Sequence, residues 1–357
     1  MTNSKDIFLT LVKLGAGTLK EASLPDGVNW EEVREMAGKQ NLLGLTLDGI
    51  SKLPDSQRPP RVISVKWIGT VMRDYEARYE KYTEAIAELA GFYNSYGFKM
   101  MVLKGYACSL DWPVPNHRPS GDIDIWMFGR YKEADSLLSS EKGIAIDHSH
   151  YHHTVFSWKG FAVEDHYDFI SVFHRKSNFK FEKILKELGK NDSNYTQLIG
   201  ERLYLPSAKL HTLFLLKHMM LHFAAGGINM RQLLDWAFFV QKHHSEIDWD
   251  YLSAILDEYG MTPAFNIFNA ICIEDLGFSE EIFPKPKYNK GIKERTLNDI
   301  LFPEFPREVP EEFFKRIVWK WRRWRTTGWR HNLCYKESMF SDFFTGLFVH
   351  IIKPSSI

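Results

Sequence analysis

The sequence feature that most constrains the fold is a pair of aspartates, Asp122 and Asp124, directly after a turn-forming stretch. Residues 117–121 end in Pro-Ser-Gly, which interrupts a helix, and the aspartates then alternate with Ile123 and Ile125. This period of two predicts a short strand with both carboxylates on one face, about 7 Å apart. Such close carboxylates repel each other unless a divalent cation lies between them, and their hard oxygens suit Mg²⁺. A solvated acidic face on an edge strand is the alternative.

Further motifs surround this pair in order along the chain. They are Leu-Lys-Gly at 103–105, Arg-x-x-Gly-Asp-Ile-Asp at 118–124, His-His at 152–153 and Glu-Asp-His at 164–166. In this order they resemble the motifs of a bacterial family of uncharacterised nucleotidyltransferases, within the superfamily that includes DNA polymerase β. The resemblance covers about residues 85–260, and the ordered set is far more specific than any single motif.

The resemblance implies an α+β fold in which a polymerase-β-like nucleotidyltransferase sheet is flanked by helices. It also implies that Asp122, Asp124 and Glu164 hold two Mg²⁺ ions. The implied reaction transfers a nucleoside monophosphate from an NTP to a hydroxyl or phosphate acceptor and releases pyrophosphate. Asp168 shares a face of the expected strand with Glu164 and is the alternative third carboxylate. The acceptor stays open between a protein side chain, an RNA end and a small hydroxylated molecule.

The family motifs also assign contacts to the nucleotide. The residues expected to contact it are Lys104, Gly105, Arg118, Ser120, Gly121 and Arg231. The sequence departs from the superfamily at Tyr106, where a serine usually follows the glycine, so Lys104 is expected to contact the phosphates instead. A solvated lysine is the alternative for Lys104. For Arg231 the alternative is an intrahelical ion pair with Asp235.

Histidines are concentrated in two places. Residues 148–153 contain four of them, and residues 218–222 contain two at a spacing of four. A zinc site is not favoured, because methionine replaces the glutamate of zinc proteases in the second group and no cysteine accompanies either group. Hydrogen-bonded roles in a substrate pocket and plain core packing are equally open for His152, His153 and His166.

The hydrophobic pattern predicts helices through most of the chain and strands in its middle part. Asn29 and Ser207 each precede an apolar helical pattern and are expected to cap a helix. Residues 171–198 are expected to form a polar helix and loop. Strands are predicted at 98–103, 144–146, 153–158 and 161–169.

Length and composition indicate several segments. The 357 residues suffice for one large or two ordinary domains. We expect an N-terminal helical region at 1–61, a nucleotidyltransferase domain at 62–200, a helical domain at 201–280, and a Pro-rich linker with basic, aromatic helices at 281–357. Lys plus Arg and Asp plus Glu number 45 each, so no overall basic field indicates a nucleic-acid partner.

The chain is expected to be cytoplasmic. Its first residues lack the basic and apolar layout of a signal peptide, and no apolar run reaches the length of about 18 residues that a membrane span needs. Three scattered cysteines provide neither a disulfide framework nor a zinc knuckle. They are Cys108, Cys272 and Cys334.

One strongly basic and aromatic segment lies near the C-terminus. Residues 315–330, within a helix expected over 311–330, contain seven Lys or Arg and four Trp. The segment could bind nucleic acid through phosphate contacts and stacking. It could also lie on an anionic membrane together with the apolar residues 343–352. The third interpretation is that the tryptophans pack on the helical domain while the arginines stay solvated.

Two other functions compete with the enzyme. A non-catalytic module that binds a nucleotide or a partner could retain the fold. The missing serine after Gly105 favours this module, whereas three facing carboxylates oppose it. One half of a toxin–antitoxin pair is a further alternative, and the sequence identifies no partner.

Overall fold

The computed structural model of the protein describes residues 4–172, 175–305 and 310–338. Its helices are α1 (Ser4–Ala16), α2 (Trp30–Lys39), α3 (Leu43–Ser51), α4 (Arg61–Val71), α5 (Ala77–Ser95), α6 (Lys104–Ser109), α7 (Tyr131–Lys142), α8 (Lys176–Lys190), α9 (Ala208–Gly226), α10 (Met230–His243), α11 (Trp249–Tyr259), α12 (Thr262–Glu274), α13 (Lys290–Leu301) and α14 (Phe313–Cys334). Its strands are β1 (Met101–Val102), β2 (Ile123–Trp126), β3 (His153–Trp158), β4 (Phe161–His166), β5 (Tyr195–Leu198) and β6 (Glu201–Tyr204). The apolar segment 343–352 lies outside the described residues, and its membrane contact stays a prediction.

The described residues divide into two compact units. Those up to Ile68 and from Leu216 onward form a helical unit, and Gly69–Leu215 form a second unit that holds the sheet. In the helical unit α1 packs closely on α3. A Cβ added at Gly15 would lie 2.0 Å from the carbonyl oxygen of Leu45, so only glycine lets the two helix backbones approach this closely.

The basic helix α14 is packed at its C-terminal end. Arg330 is 1% exposed and forms an ion pair with Asp299. Trp329 Nε1 donates a hydrogen bond to Glu304 Oε2 at 3.1 Å. Trp321, nearer the middle of the helix, is 55% exposed. Packing therefore explains the residues at the C-terminal end of this basic segment. Contact of the segment with nucleic acid or with a membrane stays a prediction.

The second unit is built on a six-stranded mixed sheet of order β3-β4-β2-β1-β6-β5. β2 runs parallel to β4 and β1 parallel to β6, while the other neighbours are antiparallel. Side chains of α5 and α7 share a buried core with Ile123 and Ile125 of β2, as the alternation predicted. The described chain thus has a mixed α+β fold with a helix-flanked sheet. The finer polymerase-β-like arrangement stays a prediction.

Some predicted strands differ from those observed. β1 is limited to two residues, and residues 144–146 form no strand, because only Asp147 makes an isolated bridge to Val155. β4 ends at His166, so Asp168 lies beyond it. The loop expected after α8 contains strand β5, which pairs with β6 in an antiparallel hairpin. Such short strands depend on partners that are distant in the sequence, which local patterns do not report.

The structure bears on membrane insertion and on disulfide bonding. None of the helices in the described part of the chain combines the length and apolar character that crossing a bilayer requires. The three cysteines are buried, and none of them forms a disulfide bond within the described residues. The cytoplasmic location stays a prediction.

Candidate active site

Two paired strands place the central carboxylates of the site. β2 and β4 run parallel and pair Asp124 with Glu164 and Ile125 with Asp165. Successive side chains of a strand point to opposite faces. Asp124 and Glu164 therefore lie side by side on the face opposite to the core that holds Ile125. This juxtaposition depends on strand order, so it was expected from the family resemblance and not from the local residue pattern.

Asp124 is buried between two positive partners. Its Oδ1 accepts a hydrogen bond from His166 Nε2 at 3.0 Å and lies 2.6 Å from Lys104 Nζ. Burial would raise the pKa of Asp124, but the charges of Lys104 and His166 outweigh it and hold that pKa well below its ordinary value. Burial would likewise lower the pKa of Lys104, which the charge of Asp124 raises instead. Both groups are therefore charged at neutral pH.

Glu164 and Asp122 complete a group of three carboxylates. Glu164 Oε2 lies 3.5 Å from His166 Nε2 and 3.7 Å from His153 Nδ1. Burial would raise the pKa of Glu164, but contact with His166 lowers it. Asp122 precedes β2 at an exposed position, where partial loss of water and then the charge of Asp124 raise its pKa. Mutual repulsion of this kind is typical of a cation site.

The donor atoms fit a hard divalent cation. Asp124, Glu164 and His166 each offer one ligand atom, and these atoms lie within 4.8 Å of one another. Asp122 is close enough for the charges of Asp124 and Glu164 to act on its carboxyl group. Carboxylate oxygens are the ligands that Mg²⁺ prefers, so these residues fit the Mg²⁺ ions that the sequence resemblance implies.

The turn before β2 is held by two side chains of α5. Arg78 Nε donates to Ser120 O at 2.9 Å, and Tyr82 Oη donates to Asp122 O at 2.9 Å. A Cβ added at Gly121 would meet no described atom within 4 Å, and the backbone there is not left-handed. Ser120 Oγ is buried and has no hydrogen-bond partner among the described residues. Neither the side chain of Ser120 nor the absence of one at Gly121 is therefore required by packing or hydrogen bonding among the described residues. Both features are expected of residues that contact a ligand.

The fold does explain Gly105, the second residue of α6. A Cβ at this position would lie 2.4 Å from Tyr82 Oη and 3.4 Å from Asp122 O. Any larger residue would therefore push against the hydrogen bond that holds the turn. Gly105 thus couples the start of α6 to the position of Asp122.

Three other residues singled out from the sequence have partners of their own. Arg118 is buried, and its Nη1 donates to the carbonyl oxygen of the adjoining proline at 3.3 Å. Asp168, the alternative third carboxylate, pairs with Lys186. Arg231 belongs to the helical unit, where its Nη1 donates to Asp235 Oδ2 at 2.9 Å. The intrahelical pair proposed for Arg231 is therefore present.

His166 is the site residue that the sequence identified least well. The sequence leaves its role open between a pocket and core packing, yet in the structure it contacts both Asp124 and Glu164. The signal that points to it is its position two residues after Glu164, which puts both side chains on one face of β4.

A comparison with models of known protein families gave a match. A family model described as "Uncharacterised nucleotidyltransferase" matches residues 26–274. The chain belongs to this family. Neither a comparison with curated proteins nor one with solved structures gave a match. The match to the nucleotidyltransferase family includes the whole sheet and every residue of the candidate site, whereas α14 lies beyond it.

Proposed function

We propose that the protein transfers a nucleoside monophosphate from an NTP to a hydroxyl or phosphate acceptor and releases pyrophosphate. The observation that carries this proposal is the convergence of Asp122, Asp124 and Glu164 on paired strands of a nucleotidyltransferase-family chain. Family membership supports nucleotidyl transfer in general. The three carboxylates support a mechanism that depends on two Mg²⁺ ions.

The carboxylates have different roles in this mechanism. Asp122, Asp124 and Glu164 would hold the Mg²⁺ ions, which when bound neutralise phosphate charge and activate the attacking oxygen. Glu164 is ionised and less enclosed than Asp124, with 25% of its side chain exposed against 3%. It is therefore the residue placed to orient the acceptor hydroxyl or to take its proton.

The positive and turn residues would receive the triphosphate. Lys104 Nζ is held by Asp124, and a phosphate oxygen offers the same charge-assisted contact, so the lysine can exchange one anion for the other. Ser120 Oγ and the open space at Gly121 lie directly before Asp122 in the turn. They would let phosphate oxygens approach the backbone next to the carboxylates.

A non-catalytic nucleotide-binding module is the second candidate, and one observation favours it. Tyr106 stands where the superfamily has a serine, and it is buried against Tyr79 with ring centroids 6.5 Å apart. Burial raises the pKa of Tyr106 to about 12. A tyrosine packed in this way does not replace the phosphate contact of the serine.

The test is calorimetric titration of each of the four NTPs in the presence of Mg²⁺. Asp122→Asn is the most informative variant, because Asp122 is exposed and repelled by Asp124, so that removing its charge should not destabilise the protein. We expect Mg²⁺-dependent binding of an NTP to the wild-type protein and a loss of affinity of about 100-fold or more in the variant. Asp124→Asn is less suitable, because it leaves Lys104 and His166 buried without their counter-charge.

Matched variants separate the outcomes. Glu164→Gln should lose NTP binding, whereas Asp168→Asn should retain it. The reverse result would identify Asp168 as the third carboxylate ligand of Mg²⁺. Wild-type binding that persists in Asp122→Asn would overturn the proposal. Binding without transfer of an α-labelled NTP to protein, RNA or small-molecule acceptors would favour the non-catalytic module.

A further inference from the structure

Three histidines converge next to the carboxylates. His152 precedes β3, His153 begins it, and His166 ends the neighbouring β4. One donor atom from each lies within 4.8 Å of the others. An ion at the centre of donors this far apart would lie about 2.8 Å from each, against about 2.1 Å for a Zn–N bond. Inward shifts of less than about 1 Å would therefore close the site around an ion.

His153 is buried with a nitrogen that has no hydrogen-bond partner. Its side chain is 8% exposed, and Nδ1 is unpaired among the described residues, 3.7 Å from Glu164 Oε2. A buried ring nitrogen whose hydrogen-bonding capacity is not used within the described residues is a donor atom that a bound metal ion would satisfy.

His166 has the orientation that metal-binding histidines commonly adopt. Its Nδ1 donates to the carbonyl oxygen of Asp168 at 3.2 Å, which directs Nε2 towards Asp124 and Glu164. Nε2 carries the proton that it donates to Asp124, so a metal ion would bind there in place of that proton, which would be released to solvent. A second hydrogen bond to a backbone carbonyl is the usual way in which a protein fixes the tautomer of a ligating histidine. The backbone N–H of Asp168 in turn donates to His152 O at 3.0 Å, which ties the two histidine segments together.

We propose that His152, His153 and His166 form a nitrogen-donor site for a divalent first-row transition-metal ion, with Glu164 as the nearest carboxylate ligand. Imidazole nitrogens favour such ions, whereas Mg²⁺ favours oxygen, so this site differs in donor type from the carboxylate site, with which it shares Glu164 and His166. The sequence alone does not favour a metal here, because no cysteine accompanies the histidine group and no local pattern shows that His166 lies beside it. The histidine site requires no nucleotide and does not depend on the proposed function.

The test uses tag-free full-length protein, with Co²⁺ as a spectroscopic probe and Zn²⁺ for calorimetry and X-ray absorption, all in excess Mg²⁺. We expect one ion per chain, a visible Co²⁺ absorption band, and nitrogen ligands at about 2.0–2.1 Å from Zn²⁺. His152→Ala/His153→Ala should lose the band and lower Zn²⁺ affinity by about 100-fold or more.

Two control variants make the result specific. His218→Ala/His222→Ala removes another close histidine pair, whose Nε2 atoms are 3.0 Å apart, and should retain the band. Asp122→Asn removes a carboxylate of the Mg²⁺ site and should also retain it, so a failure of the nucleotide proposal would leave this result unchanged.

Two outcomes would overturn the histidine site. One is wild-type protein that binds Co²⁺ and Zn²⁺ no more tightly than folded His152→Ala/His153→Ala. The other applies if circular dichroism shows that variant to be unfolded: X-ray absorption of the wild type with fewer than two imidazole ligands would then reject the proposal.

Discussion

Two adjacent acids of β4 have opposite environments. Glu164 faces the positive groups of the candidate site, whereas Asp165 pairs with Ile125 and points to the other side of the sheet. Asp165 is 0% exposed, and neither carboxyl oxygen has a hydrogen-bond partner in the described part of the chain. Burial, and then the charge of Asp135, raises the pKa of Asp165 well above its ordinary value. Asp165 therefore keeps its proton to a higher pH than the neighbouring Glu164 does.

The change that Asp165→Asn makes in the free energy of unfolding should be more stabilising at about pH 8 than at about pH 4.5. The difference between the two pH values should be about 1–3 kcal/mol. The unfolded chain loses the Asp165 proton near pH 4, whereas the folded protein retains it to higher pH. The folded state then binds more protons, so wild-type stability falls as the pH rises through this range. Asparagine has no proton to lose in this range, so the stability of the variant lacks this dependence on pH.

Urea unfolding of both proteins at the two pH values measures this difference. Glu133→Gln, an exposed acid on α7, is the control and should show no comparable dependence. An equal effect of Asp165→Asn at both pH values would show that Asp165 titrates alike in the folded and unfolded states.

At the scale of elements, the start of α6 and the turn before β2 are coupled through one hydroxyl. Gly105→Ala places a methyl group against Tyr82 Oη and should cost about 1–3 kcal/mol. Tyr82→Phe removes that hydroxyl and its hydrogen bond to Asp122 O. The double variant should therefore lose less stability than the sum of the single variants, with a coupling of about 0.5–3 kcal/mol.

Urea unfolding of the four proteins gives the coupling energy of this pair. Gly121→Ala is the matched control, because its added methyl group meets no described atom and should change stability by less than about 0.5 kcal/mol. Strict additivity of Gly105→Ala and Tyr82→Phe would mean that the hydroxyl is not what restricts position 105.

Elements with a local signal at their ends were predictable from the sequence, and the β5–β6 hairpin was not. Asn29 accepts a hydrogen bond from Glu32 N at 3.3 Å and starts α2, as predicted. The hairpin turns at Ile199 and Gly200, with φ of 51° and 85°. A β-branched residue is rare in that left-handed conformation, so the sequence lacks the usual turn signal there.

The candidate site was predictable only where neighbouring residues carry it. The alternation around Asp122 and Asp124 gave the strand and the orientation of its isoleucines. The contacts of Asp124 with Lys104 and His166 bring together three separate elements, and no local pattern reports such contacts. The phosphate contact expected of Lys104 stays a prediction, and no local pattern indicated its ion pair with Asp124.

At the scale of the whole molecule, the C-terminal basic helix is anchored to its unit by a buried ion pair. Arg330→Met should destabilise the protein by about 3–5 kcal/mol, because Asp299 would stay buried without its counter-charge. The double variant Asp299→Asn/Arg330→Met should regain most of that loss. Urea unfolding of the three proteins measures both effects.

Exposed basic residues of the same helix provide the control. Lys320→Glu/Arg322→Glu should change stability by no more than about 0.5 kcal/mol, since both side chains are exposed. If Arg330→Met lowered the free energy of unfolding by as little as this control does, the buried ion pair would contribute nothing measurable to stability. If α14 binds RNA or anionic vesicles, the charge-reversed variant should bind them more weakly and with a smaller dependence on salt.

The turn between β3 and β4 consists of two residues, Lys159 and Gly160, with φ of 49° and 83°. This turn type fixes the pairing of the two strands. A slip of β4 by one residue against β2 would present Asp165 to Asp124 and send Glu164 into the core. Because β4 belongs to both pairings, the number of residues in this surface turn contributes to which acid lies beside Asp124. During evolution or engineering, this turn should accept substitutions at Lys159 far more readily than a single insertion or deletion.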